Sequence, residues 1–520
     1  MTAEPPKSRR ARNVLLIVVD QWRGDTLKAL GHPLVHTPNI DALASEGTVF
    51  ARHFGQAAPC GPGRASLLTG LYQMNHRAVQ NTIPLDTRHT NLAFEVRKAG
   101  YTPALVGYTT TTPDPRRTAA GDPGFTTLGD LMDGWHNAGY WGLKMEAYFA
   151  WLARQGFAVP DNPWDIWLPQ DLGPGDIGAT SKPSRLPAEW SDSVWFTDRA
   201  LDYLRGVRDR PWLLHLGYWR PHPPFCASAP FHEMFDPQAC PPPRRAASVG
   251  EEAAQHPLLR FYLETIGRRS FFENGQGLAS AMSQDEVLRM RATYYGLMAE
   301  VDAQIGRVIR WLKDNGRWDD TLIVLTSDHG EQLGDHHLLG KIGYFSESFH
   351  IPMIVRDPDA VADAGRGRVV QSFTEAVDVM PTILEWLDLP LPRARDGRSL
   401  LPMVHGASAP ADWRRAAHYE YDFRNVFYSQ PETALGLAMD DCSLAVIESE
   451  QWKYVHFAAL PPLLFDLQAD PHQFTNLAGH VEYAGIERDC AQQMLNWRLR
   501  HAERTLTGYA ASPNGLLVRG

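Results

Sequence analysis

Apolar residues follow two alternating patterns along the chain. Short uninterrupted runs rich in Val, Ile and Leu, such as Val14 to Val19 in "NVLLIVVD" and Leu322 to Leu325 in "DDTLIVLTSDHG", read as strands buried on both faces. Between such runs lie stretches with apolar residues three or four apart. "TPNIDALASEG" predicts a helix entered through Pro38 and stopped by Gly47. Ser283 and Glu286 make a capping-box pattern ahead of Met298, Val301, Ile305, Val308 and Leu312, the buried stripe of a long helix. This alternation predicts an α/β fold, a mixed, mostly parallel sheet sandwiched by helices.

From about residue 406 the pattern changes to short strands, "CSLAVIE", "KYVHFA" and "LLFDL", and then a helical stretch from about 483 to 505. The expected organisation is an α/β catalytic domain over residues 1–405 and a smaller C-terminal α+β domain over 406–520. Pro/Gly-rich stretches around 113–123 and 221–245 read as long surface loops. There are no internal repeats or low-complexity tracts.

Two of the predicted strands end in acids. Asp20-Gln21 follows the first and Asp328-His329 a much later one. In open α/β sheets ligands gather beyond the carboxyl ends of the strands, so the two pairs are candidates to meet at one edge. Taken singly, each has a plain structural alternative, a helix cap for Asp20 and a polar turn for Asp328-His329.

With 44% hydrophobic and 21% charged residues the composition is that of an ordinary globular protein. A net charge of −10 and a pI near 6.1 argue against nucleic-acid binding, although a local basic pocket would not show in such a sum. Cys60, Cys226, Cys240, Cys442 and Cys490 are odd in number and widely spaced, which fits neither a disulfide framework nor a CxxC metal site. The N-terminal "SRRARNVLLIVVD" has the arginine pair of an export signal, but its apolar run is only six residues and stops at Asp20. No stretch approaches the roughly 20 apolar residues of a membrane span. A cytoplasmic protein is expected.

The stretch "PCGPGRASLLTG" places Cys60 among Gly, Pro and Arg where a helix begins, without an apolar pocket, a disulfide partner or a nearby metal-binding residue in sequence. Cys60-x-Pro62-x-Arg64 followed by Ala65-Ser66-Leu67-Leu68-Thr69-Gly70 resembles the signature of the type I sulfatases of the alkaline-phosphatase superfamily. In that family a modifying enzyme reads the motif and converts the cysteine to formylglycine. A hydrated aldehyde carries two hydroxyls on one carbon. One attacks phosphorus or sulfur as a nucleophile, and loss of the second proton lets the adduct collapse and expel the bound anion.

The resemblance implies an alkaline-phosphatase-like fold and metal ligands at Asp20, Gln21, modified Cys60, Asp328 and His329. Oxygen donors with one imidazole and one amide suit Mn²⁺ first and Ca²⁺ second. Two of these positions depart from the common sulfatase pattern, in which a second acid follows the first and an Asn often follows the later Asp. "GYTPALVGYTTTTPDP" departs further, with Tyr108-Thr109-Thr110 where sulfatases usually carry Lys-x-His. Together with "AVQNT", "RPHPPF" and "DHHLLGK", this is similar to the phosphonate monoester hydrolases, which also cleave phosphodiesters and, weakly, sulfate monoesters. The likeness runs from "NVLLIVVDQWR" to "HAERTL".

It implies Cys60, Arg64, His222 and Lys341 as catalytic residues, with Arg64, His222 and Lys341 holding the ester's oxygens and either His222 or Lys341 protonating the leaving oxygen. Asn81, Tyr108 and Thr110 are the implied substrate contacts. The expected substrate is a small anionic ester and the expected assembly a homo-oligomer, commonly a tetramer in the resembled family. An arylsulfatase, a free-thiol enzyme and a silent anion-binding protein are the competing readings.

Overall fold

β1 (Asn13–Val19) is buried along its whole length, and its alternate side chains enter two different cores. Leu15, Ile17 and Val19 pack on one face of the sheet, and Val14, Leu16 and Val18 on the other. This is why the strand reads as a continuous apolar run. The structure is a computed structural model that describes residues 12–81, 83–111, 133–142, 145–207, 210–425, 430–504 and 507–518.

β1 lies at the centre of an eight-stranded sheet. Its order is β5 (His136–Tyr140), β4 (Ala104–Gly107), β6 (Leu213–Tyr218), β1, β7 (Thr321–Thr326), β8 (Met353–Arg356), β2 (Thr48–Phe54) and β9 (Val369–Glu375). Only β8 runs against its neighbours. Val18 is paired in register with Gly217 of β6 and Thr326 of β7. The carboxyl ends of β4, β6, β1 and β7 therefore open on one edge.

Helix α1 (Pro38–Glu46) starts with proline and ends at Gly47 as expected. The long helix Gln284–Asp314 carries the full Ser283/Glu286 capping box, and its predicted apolar stripe is buried. A second sheet joins β10 (Ala417–Asp422), β11 (Ser443–Glu448), β12 (Trp452–Phe457) and β13 (Leu463–Asp466), antiparallel throughout. Its far edge is β3 (Ala57–Ala58), which pairs with Glu420 and Tyr421. The C-terminal sheet thus takes in a piece of chain two residues before Cys60.

Residues 221–245 form an irregular segment with only two short 3-10 turns. The Pro/Gly-rich stretch at 113–123 lies outside the described residues. Among the described residues no helix is long and apolar enough to cross a membrane.

Candidate active site

Four strand ends and one helix start build the site. β2 leads through β3 to α2 (Cys60–Thr69), whose first turn holds Cys60. Pro62 costs nothing there because the first amides of a helix have no intrahelical acceptor. Gly63 is required by space: a Cβ at this position would stand 2.5 Å from the carbonyl oxygen of Asp328. Absence of that side chain lets α2 press against the end of β7.

Cys60 Sγ lies 3.2 Å from His329 Nε2 and 3.7 Å from Asp20 Oδ1. Asp20, Cys60, Asp328 and His329 each offer one ligand atom, all within 4.8 Å of one another, and all four residues are buried. Residues 308 positions apart in sequence, Asp20 and Asp328, are brought together by the β1–β7 pairing.

Gln21 joins this group from a left-handed backbone conformation, φ 66°, uncommon for a residue with a side chain. The turn is pinned on all sides. Gln21 N–H donates to Asp328 Oδ1 at 3.2 Å, Trp22 N–H to Ser327 Oγ at 3.0 Å, and Tyr294 of the long helix donates to the Gln21 carbonyl at 2.7 Å. The amide Nε2 of Gln21 donates to Glu331, whose other carboxylate oxygen accepts the N–H groups of Leu333 and Gly340. That fixes the amide so that Oε1 faces the other way, where Lys341 Nζ donates to it at 2.6 Å.

Electrostatics follow from burial. Burial and the facing carboxylate of Asp328 raise the pKa of Asp20. Burial pushes Asp328 the same way, but His329 and Arg64 outweigh it and hold that carboxyl well below the usual range. Burial and Asp20 push the Cys60 thiol well above its ordinary pKa. The donor set fits a divalent cation: two carboxylates and an imidazole converge with the Cys60 side chain in a buried site, and the neighbouring Gln21 offers an amide oxygen that Lys341 holds.

Arg64 is wholly buried and tied to both acids. Nε donates to Asp328 Oδ2 at 2.9 Å, Nη2 to Asp20 Oδ2 at 3.3 Å and Nη1 to the Tyr108 carbonyl, with the guanidinium 4.2 Å over the Tyr108 ring. These three bonds place it against the two acids, and two of its five N–H groups are not accounted for by them. Tyr108 also donates its hydroxyl to Asp20. Thr110, at φ 54°, donates to the Thr109 carbonyl at 2.7 Å. Asn81 Oδ1 accepts the Gly61 N–H at 2.7 Å, which caps the first turn of α2 and sets this amide beside Cys60.

Above the cluster opens a cavity of about 550 Å³ whose lining includes Gln21, His222 and Lys341. Its lining mixes aromatic and apolar side chains, among them Phe261, Ile266, Phe271 and Phe423, with polar ones that include Arg424 and Asn425. His222 Nδ1 is engaged by the Pro223 carbonyl at 2.7 Å, which leaves Nε2 as the nitrogen open to exchange. Burial and Lys341 lower its pKa well below the ordinary value, so the imidazole is neutral at pH 7. Lys341 is driven the opposite way: burial works against its charge, yet Cys60, Asp20, Asp328 and Glu331 outweigh it and raise its pKa.

The strand-end rule brought Asp20, Gln21, Asp328 and His329 into view, and the structure places them together. Glu331 and Tyr294 went unnoticed. Glu331 sits three residues after Asp328 in "SDHGEQ", a proximity that could have raised it, whereas nothing local marks Tyr294 within a helix stripe.

Parallel strands delivering paired acids, an imidazole and a helix-borne cysteine to one edge define an alkaline-phosphatase-type enzyme, a hydrolase acting on ester bonds. The chain belongs to the sulfatase family, whose profile matches residues 12–389, and a profile described as N-sulphoglucosamine sulphohydrolase, C-terminal, matches 334–500. It is 57% identical over 514 residues to a multifunctional alkaline phosphatase superfamily protein, PehA, of Trinickia caryophylli, covering 98% of this chain and 99% of that one. Among solved structures it resembles the phosphonate monoester hydrolase of Agrobacterium radiobacter, with a TM-score of 0.91 and 42% identity over 98% of this chain and 100% of that one. The phosphonate monoester hydrolase of Silicibacter pomeroyi gives 0.88 and 37% over 98% and 99%.

Proposed function

We propose that the protein hydrolyses phosphonate monoesters and phosphodiesters, and more weakly sulfate and phosphate monoesters, through a hydrated formylglycine at position 60. The observation that carries this is the convergence of Cys60 with Asp20, Asp328 and His329 at the helix start beneath the cavity. Likeness to two phosphonate monoester hydrolases supports phosphorus over sulfur. So does the replacement of two cations by Tyr108 and Thr110, which leaves room for the extra substituent of a phosphonate monoester or diester. The aromatic side chains of the cavity suit an organic group on that ester.

Asp20, Gln21, Asp328, His329 and the modified residue 60 would hold one divalent cation, Mn²⁺ ahead of Ca²⁺. When bound, it supplies Lewis acidity that eases loss of the nucleophile's proton and offsets the ester's charge. One hydroxyl of residue 60 gives its proton up to solvent and forms the bond to phosphorus while the ester oxygen leaves with a proton from Lys341. Neutral His222 then takes the second hydroxyl's proton at Nε2, and exchange with solvent returns His222 to its neutral form and Lys341 to its charged form before the next turnover. The carbon–oxygen bond to phosphorus breaks, the aldehyde re-forms and the phosphonate or phosphate leaves. Water re-hydrates the aldehyde. Arg64 offsets the two acids throughout, and Asn81 supplies a neutral donor beside the ester, with Thr110 presenting an uncharged side chain there.

Cys60, Pro62 and Arg64 are buried in the folded chain, so a formylglycine-generating enzyme has to act before α2 docks. Self-association into a homo-oligomer such as a tetramer is supported by exposed apolar side chains on the C-terminal helix, Leu495 and Leu499, and on the last hairpin, Leu516 to Val518. A cytoplasmic location remains our reading of the cysteine usage.

The test is mass spectrometry of the peptide carrying residue 60, with rates on a phosphonate monoester and an aryl sulfate measured in the same preparation. Loss of sulfur with a faster phosphonate reaction is expected. Active protein that retains the sulfur overturns the aldehyde, and a faster aryl sulfate reaction makes it an arylsulfatase.

A further inference from the structure

Behind the His222 wall of the cavity lies a buried cation that the reaction above does not use. Arg220 stands two residues after β6 and is 2% exposed. Its Nε donates to Asp192 Oδ2 at 3.1 Å. Its Nη1 donates to two backbone carbonyls, His222 at 3.1 Å and Pro224 at 2.8 Å. The guanidinium also lies 4.7 Å over the Trp219 ring, and that ring stacks on the His222 imidazole at 5.5 Å and 27°.

These contacts surround one side chain. Pro223, whose carbonyl engages His222 Nδ1, sits between the two carbonyls that Arg220 grips. No helix or strand holds residues 219–230, and the prolines at 221, 223 and 224 carry no N–H; the His222 N–H donates to the Trp219 carbonyl at 3.0 Å, but among the described residues no backbone N–H donates to the His222 carbonyl. The guanidinium supplies donors to the His222 and Pro224 carbonyls, and Asp192 anchors it. Asp192 is the first residue of the Asp192–Gly206 helix, where the helix dipole favours a carboxylate. A guanidinium can do this because its donors form a rigid planar fork that reaches a carboxylate and the carbonyls at once; an ammonium offers a point charge.

We propose that Arg220 is a positioning residue for His222. It locks the His222–Pro224 backbone so that the imidazole spends Nδ1 on Pro223 and keeps Nε2 for the cavity. The proposal rests on the proton-exchanging role given to His222 above.

The test is a double-mutant cycle in kcat/KM on a phosphonate monoester, with His222→Ala, Arg220→Gln, Arg220→Lys and the corresponding doubles. Misplacing a reacting group by an ångström costs about 10²-fold. Arg220→Gln is therefore expected to lower kcat by about that factor with KM little changed, and to add nothing once His222 is Ala. Arg220→Lys keeps a cation against Asp192 and hence the fold. It is expected to lose a smaller part of kcat by the same route, and it carries the test alone should Arg220→Gln not fold. Histidine ¹⁵N spectra of the folded Arg220 variant should show the Nδ1–H tautomer of His222 lost or mixed. An equal loss in both backgrounds, or a folded Arg220 variant with wild-type kcat, overturns the clamp alone. Undiminished activity of His222→Ala overturns the role of His222 and the clamp with it.

Discussion

Two buried clusters of charge lie at opposite ends of α2. At its start, Asp20, Asp328, Arg64 and His329 surround Cys60. Past its end, Glu375, Asp378, Arg414, His418 and Tyr72 form the second. Arg414 Nε meets Glu375 Oε2 at 3.2 Å, and its two terminal nitrogens take both oxygens of Asp378. Tyr72 donates to Glu375 at 2.5 Å and the His418 N–H at 2.9 Å. Both clusters are dry and both set two acids against one arginine. In the second, each carboxylate oxygen is turned toward an internal donor. In the first, Asp328 is equally held, its Oδ1 by the N–H groups of Gln21 and His329 and its Oδ2 by Arg64, but one ligand atom from each acid also lies within 4.8 Å of the Cys60 sulfur and a His329 ring nitrogen. Composition does not separate a site from a structural knot; the gathering of a cysteine, an imidazole and both acids around one point does.

Breaking the first cluster should cost chemistry. Cys60→Ala is expected to lower kcat/KM by roughly 10⁴–10⁶-fold, as for loss of a nucleophile, with the melting temperature nearly unchanged. A loss of only a few fold would place the reaction elsewhere. Breaking the second should cost stability instead. Arg414→Met leaves Glu375 and Asp378 buried without a counter-ion, and a destabilisation of about 3–5 kcal/mol in denaturant unfolding is expected, with kcat kept in the folded fraction.

Acid titration sharpens the same contrast. Burial opposes ionisation of Glu375, but Arg414 and His418 lower its pKa from 4.5 to about 2. A carboxyl with a depressed folded pKa stabilises fully above its unfolded value and loses that contribution as pH falls through the folded one. Stability should therefore drop by about 3 kcal/mol between about pH 4.5 and 2, and Glu375→Gln should flatten that part of the curve. The smallest effect is on the frame of the first cluster. Glu331→Gln faces an amide nitrogen with the Gln21 amide nitrogen and should turn that side chain over. Calorimetry with Mn²⁺ should then show binding weakened by about 10–100-fold, with unfolding unaffected. Unchanged Mn²⁺ affinity would remove Gln21 from the site.

Much of this was legible before any coordinates. The β1 and β7 runs, the Pro38 and Gly47 helix limits and the Ser283/Glu286 box are local signals, because burial and hydrogen-bond capping act over a few residues. The position of Cys60 at a helix start is local too. Arg64 shows where such reading stops. Its motif announced a functional cation, but its direction was set by Asp20 and Asp328, 44 and 264 positions away.

The chain alone determined which strand ends carry acids, where the cysteine stands and what surrounds it in sequence. Only the tertiary structure decided that β4, β6, β1 and β7 lie side by side and deliver Tyr108, His222, Asp20 and Asp328 to one edge. It also decided that Glu331 orients Gln21 across 310 positions and that Arg220 frames His222. Periodicity records whether a side chain is buried. It holds no record of which distant group meets that side chain there, because strand order and side-chain direction are settled by packing the whole sheet at once.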